Sequence, residues 1–157
     1  MNYLIALALA AVSVIAWRLG VMPANFTPVL AMAVFIPHLV SQRWLQPAIP
    51  VAVMLITDII LGFHSVMLWT YMCVILATQL GAVIQNRYWA GALSVGVWHV
   101  VVNGALAFGA MSYLPMWQVY AQAIPFDFRL LVSTLMFTAV LHVLQGVFQV
   151  RKYSYET

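Results

Sequence analysis

Charge is what this sequence has least of. Of 157 residues only 6% are Asp, Glu, Lys or Arg, and the acids number three: Asp58, Asp127 and Glu156. An average soluble domain is about 25% charged. A chain this poor in charge, and 66% hydrophobic, cannot cover a soluble surface, so the composition predicts an integral membrane protein. The net charge of +3 is small and scattered. No basic patch is interleaved with aromatics, which argues against a nucleic-acid partner. The single cysteine, Cys73, excludes an internal disulfide and a cysteine metal cluster, and it reads as a buried small apolar residue. There is no Walker motif, nucleophile elbow, metalloprotease helix or alignable repeat, and the length leaves no room for a soluble catalytic domain. The expectation is a single transmembrane domain over residues 1–157 that is not an enzyme, with no catalytic residue, metal or cofactor.

What the sequence does have is apolar runs, bounded by proline, glycine and charge. Six segments emerge, at about Tyr3–Leu19, Pro28–Val40, Pro50–Leu61, Val66–Ile84, Ala90–Ala110 and Phe128–Val150. The first could be mistaken for a signal peptide. It lacks a basic leader, and its apolar run reaches Trp17 before Arg18, so it reads as a retained helix. The predicted fold is an all-α integral membrane protein, a bundle of about six transmembrane helices, two of them short. A span needs about 20 residues, so the second and third segments should leave a recess at one surface or thin the bilayer locally. Alternatively the two form one re-entrant hairpin.

Six spans put both termini, Ser41–Ile49 and Gln85–Trp89 on one side, with Arg43, Arg87, Arg151 and Lys152. The other side carries Arg18 and Arg129. Four basic residues against two place both termini in the cytoplasm. The outward connections, Gly20–Thr27, Gly62–Ser65 and Met111–Asp127, then hold most of the unusual chemistry. The first offers Asn25 and Thr27 between two prolines. The third carries Tyr113, Trp117, Tyr120, Gln122, Phe126 and Asp127. An aromatic belt would account for some of these rings.

Asp58 stands inside an apolar run that Gly62 breaks, with His64 and Ser65 at the break. A charge at membrane depth costs roughly 2.5–3.5 kcal/mol on insertion scales, so Asp58 asks for a partner, and Arg18 is the obvious one. The pair reads equally as a lock between helices or as a ligand contact. His64 reads as a local cap or a ligand contact. A second polar stripe lies on the last helix, where Thr134, Thr138, His142, Gln145 and Gln149 share one face. His99 and Asn103 are four apart on the preceding helix. Antiparallel packing should bring His99 to His142 and Asn103 to Thr134 or Thr138, as interhelical hydrogen bonds worth about 0.6–2 kcal/mol each.

Three elements, Asn25-Phe26-Thr27-Pro28, Thr57-Asp58…Leu61-Gly62-Phe63-His64 and Tyr120…Ala123-Ile124-Pro125-Phe126, resemble a family of small uncharacterised bacterial membrane proteins over nearly the whole chain. More distantly, the architecture is similar to the S components of energy-coupling factor (ECF) transporters. That resemblance implies six helices, a vitamin-like micronutrient bound from outside through the first, third and fifth loops, and no ATPase of its own. It also implies docking of Ala6 and Ala10 on a transmembrane coupling subunit that works with ATPases. The expected protein is a multi-pass solute-binding component in the bacterial inner (cytoplasmic) membrane. Its ligand would be held by Arg18, Asn25, Thr27, Asp58, His64, Tyr71, Trp117 and Tyr120. The alternatives are a structural or assembly subunit of a larger membrane complex, or a protein binding haem or quinone through its histidines.

Overall fold

The computed structural model describes residues 23–109 and 113–153. The first apolar run, with Ala6, Ala10 and Arg18, lies outside the described residues. Among the described residues are five α-helices and no strand. Helix α1 (Val29–Phe35) runs into a 3-10 turn (Ile36–His38) and is followed by α2 (Leu45–Leu61), α3 (Met67–Val83), α4 (Arg87–Phe108) and α5 (Met116–Tyr153).

The short α1 is the centre of the bundle. Its seven residues are all apolar and all buried, as a helix with no polar face requires, and it touches each of the other four helices. Its closest approach is to α3. A Cβ placed on Gly81 would lie 2.7 Å from the Val34 Cα and 2.8 Å from its carbonyl carbon. The two backbones meet where only glycine fits. Pro37 lacks an N–H, and the chain tightens there into the 3-10 turn. The segment ahead of α1 is fixed by Ser133 on α5. The Thr27 N–H donates to the Ser133 Oγ at 3.3 Å, and that hydroxyl divides its one hydrogen between the Thr27 carbonyl at 3.2 Å and the Leu130 carbonyl at 3.0 Å.

Helix α2 starts five residues earlier than the apolar run suggests. Pro47 falls in its first turn, where a missing N–H has no helical partner anyway, and α2 also accommodates a buried Pro50. Gly62 ends α2 at φ 100°, a conformation that favours glycine. Helix α4 is capped by Asn86, whose side-chain oxygen accepts from the Tyr88 and Trp89 N–H groups at 3.0 and 3.2 Å.

The largest departure from the sequence reading is α5. It begins at Met116, not near Phe128, so most of the expected third outer loop is helix. Pro115 stands just before the first helical residue, where it costs no hydrogen bond. Pro125 lies inside the helix and forfeits only the bond to the carbonyl of Ala121, an exposed residue. The earlier start resets the register of α4 against α5. Asp127, not a threonine, meets Asn103, and His99 meets Asp127 instead of His142. His142 stacks on Tyr88 with centroids 6.3 Å apart. Thr134 and Thr138 face Gly91, where a Cβ would lie 3.1 Å from the Thr134 methyl. The partner of His99 on α5 is therefore displaced by about four helical turns from the expected His142.

Around the buried apolar α1, small polar side chains face inward and many large apolar ones face outward. Thr57, Thr78, Ser94, Ser133, Thr134 and Thr138 are buried, whereas Ile59, Ile60, Leu68, Val100, Phe128 and Val143 are exposed. Among the described residues, two helices are long and apolar enough to cross a membrane: Arg87–Phe108, and α5 over Met116–Gly146.

Candidate functional site

Each of the two carboxylates in the helices has gathered its own set of polar neighbours. Asp58, on the last turn of α2, is completely buried. Its Oδ2 accepts a 2.6 Å hydrogen bond from the Tyr71 phenol on α3, and His64 Nε2 lies 4.0 Å from the same oxygen. The break at Gly62 turns the chain so that His64 and Tyr71 return toward the carboxylate. Thr57 beside it satisfies its hydroxyl locally, donating to the Met54 carbonyl at 2.7 Å.

Asp127 on α5 is the second centre. Its Oδ2 lies 2.7 Å from His99 Nδ1 and accepts from the Asn103 amide at 2.9 Å. A carboxylate only accepts, so His99 carries its proton on Nδ1 and donates it. The Asn103 amide also donates to the His99 carbonyl at 2.9 Å. Tyr120, about two turns before Asp127 on its helix, sets its ring edge-on to His99 with centroids 5.3 Å apart and donates its phenol to the Val100 carbonyl at 2.9 Å. Gly104 gives that phenol its place, since a Cβ there would lie 2.9 Å from the Tyr120 oxygen.

A cavity of about 460 Å³ opens beside Asp127, within the range of roughly 300–1,000 Å³ typical of small-molecule sites. It lies where three connections meet, at the end of the bundle at which α1 begins. Asn25 reaches it from the segment before α1, Val66 and Thr70 from the start of α3, and Leu114 from the link between α4 and α5. Helix α4 contributes Trp98, Val102, Asn103 and Leu106, and α5 contributes Val119, Gln122, Ala123, Phe126 and Asp127. Asn25 holds its place in a turn closed by the Phe26 N–H on the Pro23 carbonyl at 3.0 Å. Its φ of 63° is a left-handed conformation that asparagine tolerates better than most residues. Among the described residues, Asp127 is the only lining side chain with a formal charge.

The structure distributes the expected site residues over two places. Asn25 lines the cavity, and Tyr120 stands behind it against His99. Trp117 is largely exposed on the first turn of α5. Thr27 is engaged with Ser133 and, through its own hydroxyl, with the Val29 N–H at 3.3 Å. Asp58, His64 and Tyr71 come together, but none of the three lines the cavity. Arg18, Ala6 and Ala10 lie outside the described residues. Sequence reasoning noted His99, Asn103 and Asp127 without joining them, and it did not single out Trp98 or Thr70. Asp127 carried the same signal as Asp58, a rare acid among apolar residues, and His99 with Asn103 at helical spacing was the matching donor pair. Among the described residues no group of three or more His, Cys, Asp or Glu side chains could hold a metal ion.

The chain belongs to a family of unknown function, DUF6580, whose model matches residues 1–156. No curated protein and no solved structure matches the chain. Nothing in these comparisons links it to the S components of ECF transporters.

Proposed function

We propose that this chain is a multi-pass protein of the cytoplasmic membrane that binds a small solute in the cavity beside Asp127, as the binding component of an uptake system. The observation that carries this reading is the cavity itself. It has the volume of a small-molecule site, mostly apolar walls, and a few convergent polar groups, Asn25, Thr70, Asn103, Gln122 and Asp127. Ligand sites combine these features. A subunit whose only task was to lock helices together would be expected to fill this space.

The membrane part of the reading is supported by the exterior. Only 33% of the apolar window in α4 and 28% of that in α5 are covered by the rest of the chain. The core helix of a soluble protein would be mostly covered, and large continuous apolar surfaces are rare on soluble monomers. Lipid accounts for the uncovered remainder. The solute would enter from the outer face. The chain would rely on partner subunits for energy, a coupling subunit with its ATPases on the S-component pattern, and the cargo would be a vitamin-like micronutrient.

The test is mass spectrometry of small molecules retained through purification in mild detergent. Wild type is compared with Ala123→Trp, which fills the cavity from the small residue in its wall. A compound that accompanies wild type and is missing from the filled variant is the expected result. Identical profiles from two equally folded proteins would overturn the reading.

A further inference from the structure

We propose that the cavity selects an organic cation, a molecule with an ammonium head and an apolar body, and that Asp127 Oδ1 receives the head. This rests on the reading of the cavity as a ligand site and adds the class of ligand.

Asp127 is 7% exposed. Its two donors, His99 and Asn103, both fall on Oδ2. Oδ1 has no hydrogen bond among the described residues, yet the side chain lines the cavity. A carboxylate has about four acceptor positions, and those on Oδ1 are left for whatever occupies the space. Taking a carboxylate out of water is costly unless it is paired. The nearest cation along the helix does not pair with it: Arg129 lies over the Phe126 ring, 5.6 Å from its centroid, and makes no ion pair with Asp127. An ammonium group would take the oxygen that His99 and Asn103 leave open. An anion would be repelled by the Asp127 carboxylate, and no Lys or Arg lines the cavity among the described residues to hold it.

The rest of the wall fits the same class. Trp98 offers an aromatic ring, which attracts cations. Val102 and Leu106 give an apolar body a place to lie. Such walls do not suit a bare inorganic ion, which needs a closed shell of oxygens.

Three probes with a common phenethyl body separate the possibilities on the purified full-length protein by titration calorimetry: phenethylammonium, the neutral 2-phenylethanol and the anion 3-phenylpropanoate. Phenethylammonium is expected to bind about tenfold tighter than 2-phenylethanol, the scale of one charge-assisted hydrogen bond, and 3-phenylpropanoate most weakly. Asp127→Asn should bring the first two within about twofold of each other. Should that variant fail to fold, Ala123→Lys places an ammonium four residues before Asp127 on the same helix face and should abolish the preference in the same way. Binding of all three probes without charge preference, or a preference that survives both substitutions, overturns the cation assignment and leaves the cavity as a solute site. No binding of any probe, together with no retained small molecule, removes both proposals.

Discussion

Asp58 and Asp127 show how the same residue can serve two ends within one bundle. Asp58 is sealed, with the Tyr71 phenol at 2.6 Å, and ties α2 to α3 just before the chain turns at Gly62. Asp127 lines a cavity, with both its donors on one oxygen. The sealed carboxylate should therefore matter for stability in a way that an exposed charge does not. Asp58→Ala removes a hydrogen bond to a charged acceptor, worth about 1.5–3 kcal/mol, and leaves the Tyr71 hydroxyl without that acceptor. Arg43 is exposed on the connection before α2, and Arg43→Ala should fall within about 0.5 kcal/mol of wild type. Thermal unfolding of the two variants in the same detergent checks this. Equal midpoints would mean that the Tyr71–Asp58 bond contributes nothing net.

At the level of elements, the contact that decides the bundle is α1 against α3. A methyl group at Gly81 would press on the backbone of Val34, which cannot rotate away as a side chain could. Gly81→Ala should cost about 1–3 kcal/mol through overpacking. Gly96 on α4 is the control, because nothing lies within 4 Å of a Cβ there. Gly96→Ala should be neutral or stabilising by up to about 1 kcal/mol, since alanine is the better helix former. Opposite signs in the two melting shifts are expected, and a Gly81→Ala protein as stable as wild type would contradict the close approach. The helices themselves were legible in the sequence, because apolar runs between glycine, proline and charge mark them directly. The start of α5 was not. Pro115 and Pro125 read as loop punctuation, whereas a proline ahead of a helix, or facing an exposed carbonyl within one, costs little. That single boundary carried the α4–α5 register with it, and so hid the meeting of His99 and Asn103 with Asp127. Asn25 was legible as part of the site, because an asparagine between prolines signals a turn with a free polar group. Trp98 and Thr70 were not, because a tryptophan or threonine inside an apolar helix looks the same in sequence whether it faces lipid, a neighbour or a cavity.

For the whole molecule, the proposed function turns on which side of the membrane the cavity opens. The basic residues Arg43 and Arg87 sit at or beside the connections at the end opposite the cavity, and Arg151 and Lys152 close α5 on that end too. Lys and Arg accumulate on cytoplasmic connections, so the proposed function has the cavity open to the outside. Single cysteines test this in intact cells. Cys73 is buried, which makes a low background. Ala24 and Gln122 are exposed at the cavity end, and Gln85 is exposed at the other. Gln85 is preferable to its neighbour Asn86, which caps α4 with its side chain; a substitution there would also cost about 1 kcal/mol of helix stability. With an impermeant maleimide, Ala24→Cys and Gln122→Cys should label in intact cells, whereas Gln85→Cys should label only after permeabilisation. If Gln122→Cys also labels more slowly in the presence of a ligand found by mass spectrometry, orientation and occupancy are read from one residue, because Gln122 lines the cavity. The reverse pattern would turn the cavity to the cytoplasm. A solute could still bind there, but it would arrive from inside the cell, and a role in uptake would no longer hold.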